Sequence, residues 1–196
     1  MLSLLYYVLQ NYETDGESGM KHKEIASTLF LLMLFFAIHS IHSEARDMDT
    51  LKLSSPAFKH NEFIPSMYTC DGADINPPLM IENIPSSAKS LALIVDDPDA
   101  PVGTWVHWVL WNIDPSTNAI RENALPAGAL QGLNDFRKSD YGGPCPPSGT
   151  HRYFFKLYAL DIMLSLGPKT KKAELEHAMK GHIVAQGELI GLYRRR

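Results

Sequence analysis

Proline is missing from the first 55 of the 196 residues, and cysteine occurs only twice in the whole chain. No internal repeat or low-complexity tract is present, so repeat and fibrous architectures drop out. Charge of one sign is also lacking: 18 Lys and Arg face 22 Asp and Glu, a net charge of −4. Such a balance gives no electrostatic footprint for nucleic acid. No H-x-H or H-E-x-x-H occurs, which removes the common close-spaced metal signatures. G-x-S-x-G is absent too, and with it the nucleophile elbow of a serine hydrolase. The apolar run Ile25–Ile38 is 14 residues long, short of the roughly 20 that a membrane-spanning helix needs.

That run has a different meaning in context. Met20-Lys21-His22-Lys23-Glu24 precedes it as a short basic segment, and Ser43-Glu44-Ala45 follows with small residues at the two positions a signal peptidase reads. The pattern is that of a secretory signal with a predicted cut after Ala45, an uncleaved anchor being the alternative. Met1–Gly19 sit oddly ahead of a signal, which makes Met20 the expected start. Residues 1–45 are thus an extension plus signal peptide, and residues 46–196 a single domain, periplasmic or secreted, with no transmembrane span. Residues 1–45 hold 2 of the basic and 5 of the acidic side chains, leaving 16 against 17 and a net charge of −1. The closing Arg194-Arg195-Arg196 is too small a basic run for lipid-surface recognition and reads as solvated tail.

What remains is rich in turns. All 13 prolines are dispersed among short apolar runs after residue 55, the pattern of an all-β domain. Expected strands are Leu51–Leu53, Leu79–Glu82, Leu91–Asp96, Val106–Ile113, His151–Leu160 and Ala185–Tyr193. One helix is expected over Thr170–Lys180, capped by Thr170 and stopped by Gly181. Its apolar positions Leu175, Ala178 and Met179 form a narrow stripe for a sheet surface. His177 and His182 are five apart and off a shared face, so they read as a surface and a cap residue. Ala119–Tyr141 is polar and weakly periodic, suited to loops crossing between sheets.

Three segments carry the chemistry. The apolar run Leu91–Asp96 ends abruptly at Asp97-Pro98-Asp99-Ala100-Pro101. An extended D-P-D would put Asp97 and Asp99 on one face, pointing into one cavity. Trp105–Ile113 is apolar enough to be covered on both faces, with His107 its only ionisable side chain. Gly143-Pro144-Cys145-Pro146-Pro147-Ser148-Gly149-Thr150 is a stiff loop leading into His151-Arg152-Tyr153, where His151 and Tyr153 share a side.

In this order the segments resemble the phosphatidylethanolamine-binding protein family, also called Raf kinase inhibitor-like proteins. The resemblance spans about Leu51–Tyr193 and is closer to the bacterial branch, whose hallmarks stand here as Tyr68-Thr69-Cys70-Asp71-Gly72, Asn76-Pro77-Pro78-Leu79 and Gly181-His182-Ile183-Val184-Ala185-Gln186-Gly187-Glu188-Leu189-Ile190-Gly191. It implies an antiparallel β-sandwich with one or two peripheral α-helices, in keeping with the strand pattern. It also implies a site of Asp97, Asp99, His107, His151 and Tyr153, rimmed by Pro98 and Pro144–Pro147, Pro146 among them. Animal members often carry two adjacent histidines where Val106-His107 stands, and an animal-type C-terminal region is not evident. Kinase-related functions therefore transfer poorly.

Imidazolium and phenol can donate hydrogen bonds to a phosphate or carboxylate, and an acid can receive an ammonium group. The acids are expected to keep the histidines cationic near neutral pH. A small anionic or zwitterionic ligand, such as a phosphoethanolamine-like headgroup, matches that mixture, with no enzymatic activity and no metal or other cofactor. A protein-interaction module inhibiting a protease or binding a phosphoprotein is the alternative. A metal-dependent hydrolase built on the two histidines and two aspartates is a minor one. In an exported protein the pair Cys70 and Cys145 favours a disulfide tying two site loops together, against two buried free thiols.

Overall fold

A computed structural model describes residues 51–195; the expected signal peptide and Met20 start fall outside the described residues. Among the described residues nine strands build two sheets. β1 (Lys52–Ser54), β3 (Leu79–Glu82) and β6 (Ala119–Ile120) make a small antiparallel sheet in the order β1-β3-β6. β2 (Glu62–Phe63), β4 (Ser90–Asp97), β5 (Trp105–Ile113), β7 (Leu130–Gln131), β8 (His151–Leu160) and β9 (Ile183–Tyr193) make the large one, ordered β2-β9-β8-β4-β5-β7. Every pairing is antiparallel except β2 with β9. The fold is therefore mainly β, as expected, with one α-helix among the described residues, α1 (Lys172–Met179).

The four long strands carry most of the burial. β4 is buried at all eight positions and β5 at seven of nine, because the large sheet is covered on both faces. On one side Leu91, Leu93, Val95, Leu110, Phe155 and Leu157 pack with Leu53, Leu79 and Ile81 of the small sheet. On the other, Ala92, Ile94, Val109 and Trp111 pack with Leu175 and Met179 of α1. Alternation along each strand divides these residues between the two layers.

The long strands and α1 lie close to the positions the sequence indicates, and the differences are local. Thr170 does not cap α1. The Thr170 carbonyl accepts the Leu133 amide at 2.8 Å, which holds that residue in the crossing loop. The N-cap is Lys171, whose amide donates to Glu174 Oε2 at 2.7 Å. At the other end Lys180 (φ −59°, ψ 122°) and Gly181 (φ 84°) form the centre of a type II turn, closed by the His182 amide on the Met179 carbonyl at 2.9 Å. Glycine is required there because its φ is positive. His182 Nδ1 lies 2.9 Å from Asp161 Oδ1, while His177 is exposed. Among the described residues no helix is long and apolar enough to cross a membrane.

Candidate functional site

β4, β5 and β8 are neighbours, and their antiparallel order brings the end of β4 beside the starts of β5 and β8. Asp97, His107, His151 and Tyr153 consequently meet at one edge of the sheet. Asp97 is 3% exposed, His107 2% and Tyr153 0%. Asp97, His107 and Tyr153 line a cavity of about 320 Å³.

A β-bulge aims His107 into this space. Val95 pairs with Trp108 but Asp96 pairs with Val106, so His107 is the extra residue on β5. The bulge breaks strand alternation. Val106 packs in the helix-side layer and Trp108 in the opposite one, which leaves His107 free to turn toward Tyr153. Its ring meets that of Tyr153 edge-on, with centroids 5.2 Å apart. His107 Nδ1 donates to the Gly142 carbonyl at 2.7 Å, a tautomer fixed by the carbonyl's having no proton to give. Burial pushes the imidazole below its ordinary value, against the opposing pull of the Gly142 carbonyl and the Asp97 charge. His107 is thus neutral near pH 7, and the expectation of a cationic ring fails for it. Desolvation outweighs the neighbouring carboxylate.

Asp97 has both oxygens engaged. Oδ1 accepts the Asp99 amide at 2.8 Å, and Oδ2 accepts His151 Nδ1–H at 2.7 Å. The first contact is an Asx turn, and it overturns the expectation of an extended D-P-D. The chain bends after Asp97, so Asp99 does not share its face. Asp99 instead holds Arg152 through the backbone amide at 2.9 Å and the guanidinium at 2.9 and 2.7 Å. That clamp lowers the Asp99 carboxyl to about 2. His151 backs Asp97 rather than lining the cavity. Pro98 is exposed and Pro144 buried, with its carbonyl taking the Cys70 amide at 3.2 Å; Pro146 does line the space.

Tyr153 is different because its hydroxyl is buried without a hydrogen-bond partner. Asp97 and the Cys145 amide are near enough to bias its proton, yet neither meets it in full hydrogen-bond geometry. Burial first, then the Asp97 charge, pushes the phenol far above its ordinary value, so it remains a proton donor.

The remaining wall is apolar. Ala100, Pro101 and Val102 come from the turn after β4, and Pro146 and Pro147 from the loop before β8. Cys145 joins them through a disulfide to Cys70, as expected. Trp105 and Phe136 complete the wall and are absent from the residues that sequence reasoning singles out. Phe136 is an isolated aromatic in the polar stretch Asn134–Asp140, which was its only signal. A larger depression of about 580 Å³ involves Asp71, Tyr193 and Arg194. Its carboxylate is occupied by the Tyr193 hydroxyl at 2.8 Å and Arg195 at 3.1 Å. Among the described residues no group of three His, Cys, Asp or Glu side chains is placed to hold a metal.

A two-sheet, mainly antiparallel β protein with a small, mostly apolar cavity at the strand ends is the class these features define. The chain belongs to the phosphatidylethanolamine-binding protein family, whose model matches residues 54–194. A UPF0098 protein of Methanothermobacter thermautotrophicus is 52% identical over 150 residues, covering 74% of this chain and 99% of the relative. A phosphatidylethanolamine-binding protein homologue from Chlamydia trachomatis has a solved structure with TM-score 0.73 and 42% identity, covering 76% of this chain and 99% of that one. YbcL of E. coli, described as a member of the mammalian family, gives TM-score 0.71 at 30% identity, covering 74% of this chain and 99% of that one.

Proposed function

We propose that this is an exported, non-enzymatic binding protein whose cavity takes a small zwitterionic or anionic headgroup of the phosphoethanolamine type. The Tyr153 hydroxyl carries the reading: a buried donor, with no protein partner, facing a space walled by proline and aromatic side chains. Sites for small ligands have this character, a mostly apolar wall with few polar groups that fix orientation. A headgroup oxygen would satisfy the phenol, and the neighbouring Asp97 could receive an ammonium. Membership of a family named for phosphatidylethanolamine binding agrees in ligand class. Export is supported by the Cys70–Cys145 bridge, since disulfides persist in oxidising compartments.

Calorimetric titration with phosphoethanolamine tests the reading. Saturable binding is expected, weakened roughly tenfold or more in Tyr153→Phe, because a hydrogen bond to a charged group contributes about 1.5–3 kcal/mol. Absence of heat at millimolar ligand would remove the headgroup assignment.

A further inference from the structure

Among the described residues, six that are not glycine have a positive φ. Five are asparagine or aspartate: Asn61, Asp74, Asn83, Asn112 and Asn123. These two types visit the left-handed region most readily, because a short polar side chain bonds to the local backbone there. The sixth is Arg137, with φ 64°. A long side chain is strained in that conformation, where glycine is not.

The loop around Arg137 holds it there. Its amide donates to the Asn134 carbonyl at 3.0 Å, and neither Asp135 nor Phe136 has a positive φ, so residues 134–137 form a type I turn. A left-handed residue after such a turn closes a three-residue loop, and glycine is the usual occupant. Asn134 is 3% exposed and locks the base. Its amide donates to the Lys138 carbonyl at 2.9 Å, and its Oδ1 accepts the Lys138 amide at 2.9 Å. Its Nδ2 donates to the Asp140 carbonyl at 2.9 Å and the His107 carbonyl at 3.3 Å. Asp135 is tied to β5 twice: its amide donates to the Val106 carbonyl at 3.0 Å, and its Oδ2 accepts the Val106 amide at 2.7 Å. Phe136 folds back on Trp105 and His107, with centroids 5.4 and 5.3 Å apart.

Arg137 and Lys138 stand exposed at the apex of this locked loop, and among the described residues neither is paired with a carboxylate. The fold gains no ion pair from its one strained long side chain, so the work of the guanidinium lies outside the chain. Two adjacent cations are too few for a lipid surface, which takes about four to eight. A net charge of −4 gives no basic field for nucleic acid. Carboxylates fit: a guanidinium takes one through a two-pronged contact, and the neighbouring ammonium takes a second. Asp140, exposed on the same loop, restricts the match to a short acidic stretch. We propose that the loop of residues 134–140 docks a short acidic segment of a partner protein, with Arg137 the main contact and Lys138 beside it. Neither cation lines the cavity, so this surface is separate from the headgroup site.

A labelled peptide of six glutamates, titrated into the purified protein by fluorescence anisotropy, is the probe, and each variant is also melted. Arg137→Gly removes strain and charge together, so it should melt roughly 2–4 °C higher while its affinity for the peptide falls roughly threefold or more. Arg137→Asn keeps a residue type that tolerates the left-handed region; it should melt no lower than the wild type and lose affinity equally. Lys59→Ala removes an exposed cation outside the loop and should leave peptide binding unchanged. Phosphoethanolamine affinity should be the same in all four proteins. A stabilised Arg137→Gly that binds the peptide as well as the wild type would overturn the docking role. So would a wild type that does not bind the peptide, or a Lys59→Ala loss as large as that of Arg137→Asn, which would mean diffuse charge alone. A lower melting temperature in Arg137→Gly would remove the strain on which the assignment stands.

Discussion

Asp96 and Asp97 are neighbours on β4 with opposite duties. Asp97 faces the cavity, while Asp96 is fully buried on the helix side and paired with Lys156 and Lys172, at 2.8 Å and 2.5 Å. Lys172 belongs to α1, so one carboxylate fastens the helix to the sheet. Removing it leaves the Lys156 ammonium without its carboxylate and Lys172 with only Glu176 at 3.7 Å. Asp96→Ala should therefore destabilise the fold by about 2–4 kcal/mol, somewhat under the usual figure for a buried pair because both lysines keep some solvent; urea denaturation measures it. Asp99 is a contrasting case. Its carboxyl is lowered to about 2, so the stability it contributes is present above the ordinary carboxylate value and lost as pH falls from about 4 toward 2. Half of the Arg152 side chain is in water, and Asp99→Asn should cost under about 1 kcal/mol at neutral pH.

His107 makes a pH prediction of the same sign in a higher window. Its folded value lies below the ordinary 6.5, so the unfolded chain binds the extra proton first. Stability is complete above pH 6.5 and declines as pH falls below it, by at most about 1.4 kcal/mol per pH unit from this group. His107→Asn keeps a donor for the Gly142 carbonyl and should flatten the slope between pH 7 and 5 in calorimetric melting. Recovery of the wild-type slope in that variant would mean another group titrates.

At the scale of elements, the loop that carries Cys145 is joined more than once to the segment around Cys70. The disulfide closes a separation of 75 residues, which on the chain-entropy view contributes roughly 4 kcal/mol. Beside it the Gly143 amide donates to Asp74 Oδ1 at 2.6 Å, and the Tyr141 hydroxyl donates to the Tyr68 carbonyl at 3.0 Å. A Cβ at Gly143 would come within 2.7 Å of the Thr69 backbone, so the approach of these loops depends on glycine. The double variant Cys70→Ser, Cys145→Ser should lower the melting temperature and yet keep ligand affinity within a few-fold, because the local hydrogen bonds still position Pro146. Loss of binding in a folded double variant would show the bridge to be what shapes the wall.

Elements also explain what was legible in the chain. His151–Leu160 and Leu79–Glu82 stand as the apolar runs and their Gly/Pro flanks indicate, since hydrophobic period and turn residues act locally. Two-residue strands such as Ala119–Ile120 leave no period to read. Three site residues, Asp97, His107 and Tyr153, were visible as polar groups at the ends of buried strands. The orientation of His107 was not, because it depends on a bulge whose signature lies in the pairing with β4. Asp99 was misplaced for a similar reason: a hydrogen bond from its own amide bends the chain. Phe136 is carried by a loop that only the fold brings over β5.

For the whole molecule, the approach of the two sheets is limited at Gly187 of β9, where any side chain would collide with the Leu51 carbonyl beside β1. Gly187→Ala should cost about 1–3 kcal/mol by wedging the small sheet away from the large one. A thermal melt reads it, and headgroup affinity should stay unchanged, since β9 contributes nothing to the cavity wall.

The floor of the cavity belongs to strands at the middle of the large sheet, whereas most of its wall belongs to three surface segments, around residues 100–102, 136 and 145–147. These two parts answer to different constraints. A family built this way can trade one rim for another among its descendants while inheriting the floor intact. Grafting those three segments from a relative should then transfer ligand preference between proteins without redesigning either core.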